Sequence, residues 1–119
     1  MSTFTVEATL IHPEHRERMV TAEFVVDTGA TYSLVPAEIV ARLGLATPEE
    51  LSAVLANGER VRYGVGEVRV RLGRRERTAV FLAGPPGCQP LLGAFTLEAF
   101  ALAADPVNQR LIPAPPALL

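Results

Sequence analysis

AEFVVDTGATYSLV, residues 22–35, sets one aspartate at the end of an apolar run and follows it at once with Thr28 and Gly29. Phe24, Val25 and Val26 read as the end of a β-strand, and a glycine two positions after the acid reads as the turn that stops it. An aspartate so placed serves equally well as a turn or helix-cap residue accepting backbone N–H bonds, or as a catalytic carboxylate at a strand end. The surroundings have to decide.

Upstream, Phe4, Val6, Ala8 and Leu10 alternate with Thr5, Glu7 and Thr9, the period of a half-buried strand. The polar break HPEHRER (12–18) separates it from MVTAEFVV (19–26), so the first 26 residues predict a hairpin that ends at Asp27. Downstream, PAEIVARLGL (36–45) predicts a short helix with Pro36 as its first residue and Gly44 as its stop. Thr47, Pro48 and Glu50 resemble another helix start, but Asn57 and Gly58 form a hairpin turn pair, and residues 51–63 are expected to be a hairpin. EVRVRL (67–72) and RTAVFL (77–82) are the clearest strands, joined at Gly73 and Arg74. Gly64 and Gly66 predict a bulge or bend in a long strand rather than a phosphate loop, because no helix start follows them. AGPPGCQP (83–90) reads as a rigid loop, LLG (91–93) as a buried apolar end and AFTLEAFAL (94–102) as a second short helix. DPVNQ (105–109) is a turn between two last short strands, and residues 113–119 are a Pro-rich tail, extended or frayed. The sum is an all-β domain, a small barrel or sandwich with one or two short helices.

With 119 residues the chain is expected to be one domain, residues 1–119. About half its residues are apolar and its net charge is −2, so neither disorder nor a strong pull toward nucleic acid is expected. All its cationic residues are arginines; Arg69 and Arg71 alternate with valine, and with Arg74, Arg75 and Arg77 they read as a solvated strand face without interleaved aromatics. No signal-like N-terminus and no apolar run long enough to span a bilayer is present, which predicts a cytoplasmic protein without a membrane partner. Cys88 is the single cysteine, which rules out an intrachain disulfide and a Cys-rich zinc site, and it reads as an inert thiol. His12 and His15, beside Glu14 and Glu17, read as surface residues of a hairpin turn; no metal and no cofactor are expected.

Two motifs carry a resemblance. FVVDTGATYSLV (24–35) and QPLLGAFTLEAF (89–100), in this order and at this separation, resemble the active-site loop and second signature of the retropepsin-like aspartic proteases, including bacterial-type members, over about residues 4–112. The resemblance implies a small closed barrel of the acid-protease type, and peptide hydrolysis by paired aspartates. It gives Asp27 the catalytic carboxyl, Thr28 a hydroxyl that locks two loops together, and Gly29 a close backbone approach that a Cβ would block. It sets Ala30 and Thr31, with Ala56, Asn57 and Gly58 at the tip of a flap hairpin, against an extended peptide substrate.

The acid-base work needs two carboxyls that share one proton. The chain has only Asp27 and Asp105, and Asp105 precedes Pro106 in a turn with no DTG context. The second catalytic aspartate is therefore expected from another copy of Asp27, which makes the enzyme a homodimer with its site on the two-fold axis. Two departures stand out: where retroviral members carry an acidic residue and an arginine that pair, this chain has Thr31 and Ala94. The presumed flap is also poorer in glycine. A non-catalytic dimerisation or peptide-binding module retaining the fold is the alternative these departures leave open.

Overall fold

The computed structural model describes residues 3–119. β1 (Phe4–Ile11) and β2 (Met19–Val26) pair antiparallel without a break from Phe4↔Val26 to Ile11↔Met19. Their alternation buries Phe4, Ala8, Leu10, Phe24 and Val26 on the inner face. β2 stops one residue before Asp27, as the apolar run predicts.

β3 (Ser33–Pro36) follows, a strand too short for its alternation to be read from sequence, and then α1 (Ala37–Leu43). Pro36 is not the first helical residue. It pairs with Gly84 as the last residue of a strand, stays extended at ψ 148°, and the helix begins behind it. Gly44 ends α1 in the left-handed region at φ 68°, the conformation that favours glycine over any residue with a Cβ.

β4 (Glu49–Val54) and β5 (Arg60–Leu72) form the expected hairpin, but β5 runs on for 13 residues as one strand and takes in EVRVRL. One edge of β5 serves two partners: residues 60–65 pair with β4 and residues 69–71 with β1. Its other edge pairs with β6 (Arg75–Gly84) from Gly64↔Ala83 to Leu72↔Arg75, with no residue skipped. Of the bulge or bend expected at Gly64 and Gly66 in a long strand, the strand is long and its pairing with β6 holds no bulge; close approach accounts for the glycines. A Cβ on Gly66 would sit 2.1 Å from the Ala46 carbonyl oxygen, and one on Gly64 2.9 Å from Thr47 Cβ, so the connector from α1 lies directly on this strand.

β7 (Leu91–Leu92), α2 (Ala94–Ala99), β8 (Leu102–Asp105) and β9 (Arg110–Pro113) complete the chain. α2 is shorter than its apolar pattern suggests, because Ala101 turns into the left-handed region at φ 54°. The main sheet has the order β1-β2-β7-β3-β6-β5-β4, and the extra β1–β5 pairing closes it into a barrel. β4 is left outside the closure, held by β5 alone; β8 and β9 make a separate two-stranded sheet.

Phe24, Phe81 and Phe100 are fully buried at the centre with Leu10, Leu43, Val68, Val70 and Leu92. Each such side chain contributes about 1.5–3 kcal/mol of burial. A smaller cluster of Phe4, Val26 and Leu97 packs on Leu102, Ala104 and Leu111, seating the β8–β9 hairpin. Outside the barrel, Glu76 accepts two hydrogen bonds of 2.9 Å from Arg16 and one of 3.0 Å from Arg69. The Arg16 bonds, with Arg69 adding to them against the cost of burial, lower its pKa to about 2 and tie the β1–β2 turn to the β5–β6 hairpin. The arginine face is thus partly neutralised, as its alternation with valine and glutamate suggests.

His12 departs from its expected surface position. It is buried at 8% exposure, and its Nδ1 accepts the N–H groups of Glu14 (3.0 Å) and His15 (3.1 Å), so it caps the β1–β2 connection from inside. A side chain that satisfies orphan backbone donors can be buried without loss, which is why polarity alone misplaces it. His15 is exposed, and among the described residues no three His, Cys, Asp or Glu side chains gather as a metal site requires. Cys88 is half-buried; burial foremost, then the Glu38 carboxylate, pushes its thiol up and away from the reactive thiolate.

Candidate active site

The Asp27 loop is built on backbone bonds that its sequence invites. Asp27 N–H donates to the Leu92 carbonyl (3.0 Å), continuing the parallel β2–β7 pairing of Val25 with Leu91 and Val26 with Leu92. Ala30 N–H turns back to the Asp27 carbonyl (3.2 Å), and Gly29 N–H donates to Asp27 Oδ1 (3.0 Å). One carboxylate oxygen is therefore oriented by the loop itself, and among the described residues no hydrogen-bond donor meets Oδ2. A Cβ on Gly29 would lie 3.3 Å from that same Oδ1, so glycine keeps the turn tight against the carboxylate.

The second motif is the floor beneath this loop. β7 lies between β2 and β3, and Leu34 pairs with Leu91 on its other side. Ala94 N–H donates to the Ala30 carbonyl (2.8 Å) and Phe95 N–H to the Thr31 carbonyl (3.0 Å). Gly93 makes this approach possible: a Cβ there would meet the Tyr32 carbonyl oxygen at 2.4 Å and the Ala30 carbonyl oxygen at 2.9 Å.

The two positions at which retroviral members carry an ion pair hold Thr31 and Ala94 here, and hydroxyls and rings join the motifs instead. Ser33 Oγ and Thr96 Oγ1 share a buried hydrogen bond of 2.6 Å, and Ser33 Oγ also accepts Gly93 N–H (3.1 Å). Tyr32 and Phe95 meet edge to face with ring centroids 5.3 Å apart. Sequence reading passed over both pairs, since neither is visible until β3 and α2 are adjacent. A serine and a threonine inside otherwise apolar stretches were the available signal.

An open cleft of ≈680 Å³ separates this loop from the β4–β5 hairpin. Asp27, Gly29, Ala30 and Thr31 line one wall, and Ala56 lines the other. Thr28 is exposed and is not part of the cleft's lining. Asn57 and Gly58 stand at the hairpin turn beyond the cleft, where Asn57 Oδ1 accepts Glu59 N–H (2.9 Å) and Gly58 takes φ 85°. The remaining walls are residues that sequence reading did not single out, chiefly Leu34, Val54, Leu55, Tyr63, Leu82 and Leu91. They come from β3 to β7, and only closure of the barrel gathers them.

Asp105 has its own occupation. Oδ1 accepts the N–H groups of Val107 (3.1 Å) and Asn108 (3.2 Å), and Oδ2 accepts Asn108 Nδ2 (2.9 Å). The Asn108 bonds hold its carboxyl below the usual range, with Val107 and Arg110 assisting. It is the hinge pin of the β8–β9 turn and lies outside the Asp27 cleft.

Comparison with known proteins agrees with this geometry. The sequence family described as aspartyl protease matches residues 16–94, from the β1–β2 turn through the Asp27 loop and the β4–β5 hairpin to the residue after Gly93. No protein of curated function matches the chain in sequence. Among solved structures, the EIAV protease complexed with the inhibitor HBY-793 is similar with a TM-score of 0.62 and 16% identity, over 83% of this chain and 88% of that one. At that identity the likeness is one of fold, a retropepsin-like barrel.

Proposed function

We propose that this chain, which belongs to the aspartyl protease family, supplies half of a peptidase active site and completes it by pairing with a second copy. The observation that carries the reading is the contrast in aspartates. Asp27 has one oxygen held by Gly29 N–H and faces a cleft, while the only other aspartate, Asp105, is consumed by its own turn. A two-fold axis beside the loop brings the same residue from each copy together.

In such a pair one Asp27 carboxylate takes a proton from water as the water oxygen attacks the peptide carbonyl carbon. The protonated partner donates to the carbonyl oxygen, and the proton then passes to the departing amine as the C–N bond breaks. Two carboxyls at hydrogen-bonding distance cannot both be ionised, so activity centres on the mildly acidic range where the pair holds one proton. Exposed Thr28 hydroxyls are free to meet across the axis, and the β4–β5 hairpin, tethered only through β5, is free to close over an extended peptide.

The test is cleavage of a broad peptide library between about pH 3 and 7, with the oligomeric state followed by sedimentation at each protein concentration. Specific activity should fall on dilution in step with loss of the dimer. A dimer that binds peptides and cuts none of them would mark a binding module that kept the fold.

A further inference from the structure

A second concavity, of ≈630 Å³, adjoins the first, and Tyr32 lines both. Its apolar surface includes Leu51, Val65, Val80 and Phe95. Phe95 is 51% exposed and Val80 37%, apolar area that water covers unless something else does. Glu14, Glu49 and Glu67 are also part of the lining.

The strand register explains the mixture. Glu49 stands opposite Val65, and Glu67 opposite Val80, so carboxylates and apolar side chains share one face of β4, β5 and β6. Among the described residues none of these three glutamates enters an ion pair. Arg69 is the next residue of β5 on that face, and its guanidinium is committed to Glu76 Oε2 (3.0 Å) and Thr78 Oγ1 (2.8 Å). The groove is thus apolar at its base and anionic at its edge; among the described residues no arginine is part of its lining, and Arg69, which bonds the lining residue Thr78, stands at its border.

We propose that this groove binds the flanking part of the same extended polypeptide whose scissile bond lies at Asp27, selecting arginine or lysine there among apolar side chains. The inference rests on the Asp27 cleft being a peptide site. The two spaces share Tyr32 as a wall, and an extended chain that passes this ring turns alternate side chains to the groove and to solvent. The apolar base covers the aliphatic stem of a long cationic side chain, and the glutamates meet its head. Because Glu49 and Leu51 belong to β4 and Val65 to β5, an occupant here also grips the base of the hairpin that overhangs the catalytic loop.

The test uses full-length protein carrying Asp27→Asn, which removes turnover from the measurement, and two fluorescent peptides. Both have the same apolar centre; one carries flanking arginines and the other glutamines at those places. Anisotropy should show tighter binding of the arginine peptide, with a preference that weakens as salt is raised. Glu49→Gln and Glu67→Gln should each reduce that preference about two- to fivefold while leaving the glutamine peptide unchanged. Equal affinity for the two peptides, or a preference untouched in the double variant, would overturn the proposal. The parent protein separates this inference from the peptidase reading. Charge-selective binding without cleavage sinks only the latter, and cleavage indifferent to flanking arginine sinks only the former.

Discussion

Asp27 follows β2 and Asp105 is the last residue of β8; both accept an N–H from two residues on, yet the fold gives them opposite standing. At the β8–β9 turn, Val107, Asn108 and Arg110 surround the carboxylate of Asp105 and engage both of its oxygens. At the β2 end, Gly29 N–H takes Oδ1 of Asp27 and among the described residues no partner takes Oδ2, while a cleft opens in front. The same local motif is structural in one place and available for chemistry in the other. What differs is the tertiary setting: a hairpin that closes on itself, against a loop laid over a second motif with the barrel opening beyond it.

The sharpest way to break this contrast is to neutralise each aspartate in turn. Asp27→Asn is isosteric and should reduce cleavage by about a thousandfold or more, since a general acid–base pair loses its ionisable member. Circular dichroism and sedimentation should show an unchanged fold and dimer. Asp105→Asn should leave cleavage intact and soften only the β8–β9 turn, seen as faster amide exchange there. Equal loss of activity in both variants would remove the distinction.

The floor beneath Asp27 comes next. Gly93→Ala places a Cβ 2.4 Å from the Tyr32 carbonyl oxygen, where backbone has to move, and should cost about 1–3 kcal/mol in denaturant unfolding as well as lowering kcat. Ser33→Ala leaves Thr96 Oγ1 and Gly93 N–H without their buried partner, a loss of about 1–3 kcal/mol. Thr96→Val in the same background should cost little more, because the pair acts as one unit. Full additivity of the two changes would show that the hydroxyls work separately.

The smallest expected effect lies at Glu76, which is not part of the cleft's lining. Its pKa is lowered from 4.5 to about 2, so its contribution to stability is complete above pH 4.5 and is lost as pH falls toward 2. Glu76→Gln should therefore cost about 1 kcal/mol near neutral pH, and its difference from the parent should shrink across that acidic window. Cleavage per folded dimer should not change.

Much of this was legible in the residues. The β1–β2 hairpin, the turn at Asn57 and Gly58, the strands on either side of Gly73 and the closing pair around 105–109 follow from alternation and turn chemistry, which are local. Each misplaced feature was decided by a neighbour that the apolar–polar pattern does not show. Pro36 stays in a strand because Gly84 pairs with it, Gly66 is small because Ala46 lies on it, and His12 is buried because Glu14 and His15 donate to it. In the first the deciding neighbour arrives with the sheet, in the second with the connector from α1 laid on β5, and in the third it is the turn geometry that recruits the side chain.

The sequence by itself determined that Asp27 ends a strand in a glycine turn, that a second apolar-glycine motif follows near residue 93, and that one chain holds no other aspartate suited to pair with it. Residue type and spacing carry these facts, and no folding is needed to count them. Only the tertiary structure decided that Leu92 and Gly93 lie under the Asp27 loop, that Ser33 and Thr96 fasten them, and that residues from β3 to β7 form one cleft. Those contacts join residues some sixty positions apart, through pairings such as Val26↔Leu92 and Leu34↔Leu91 that exist only once the barrel has closed.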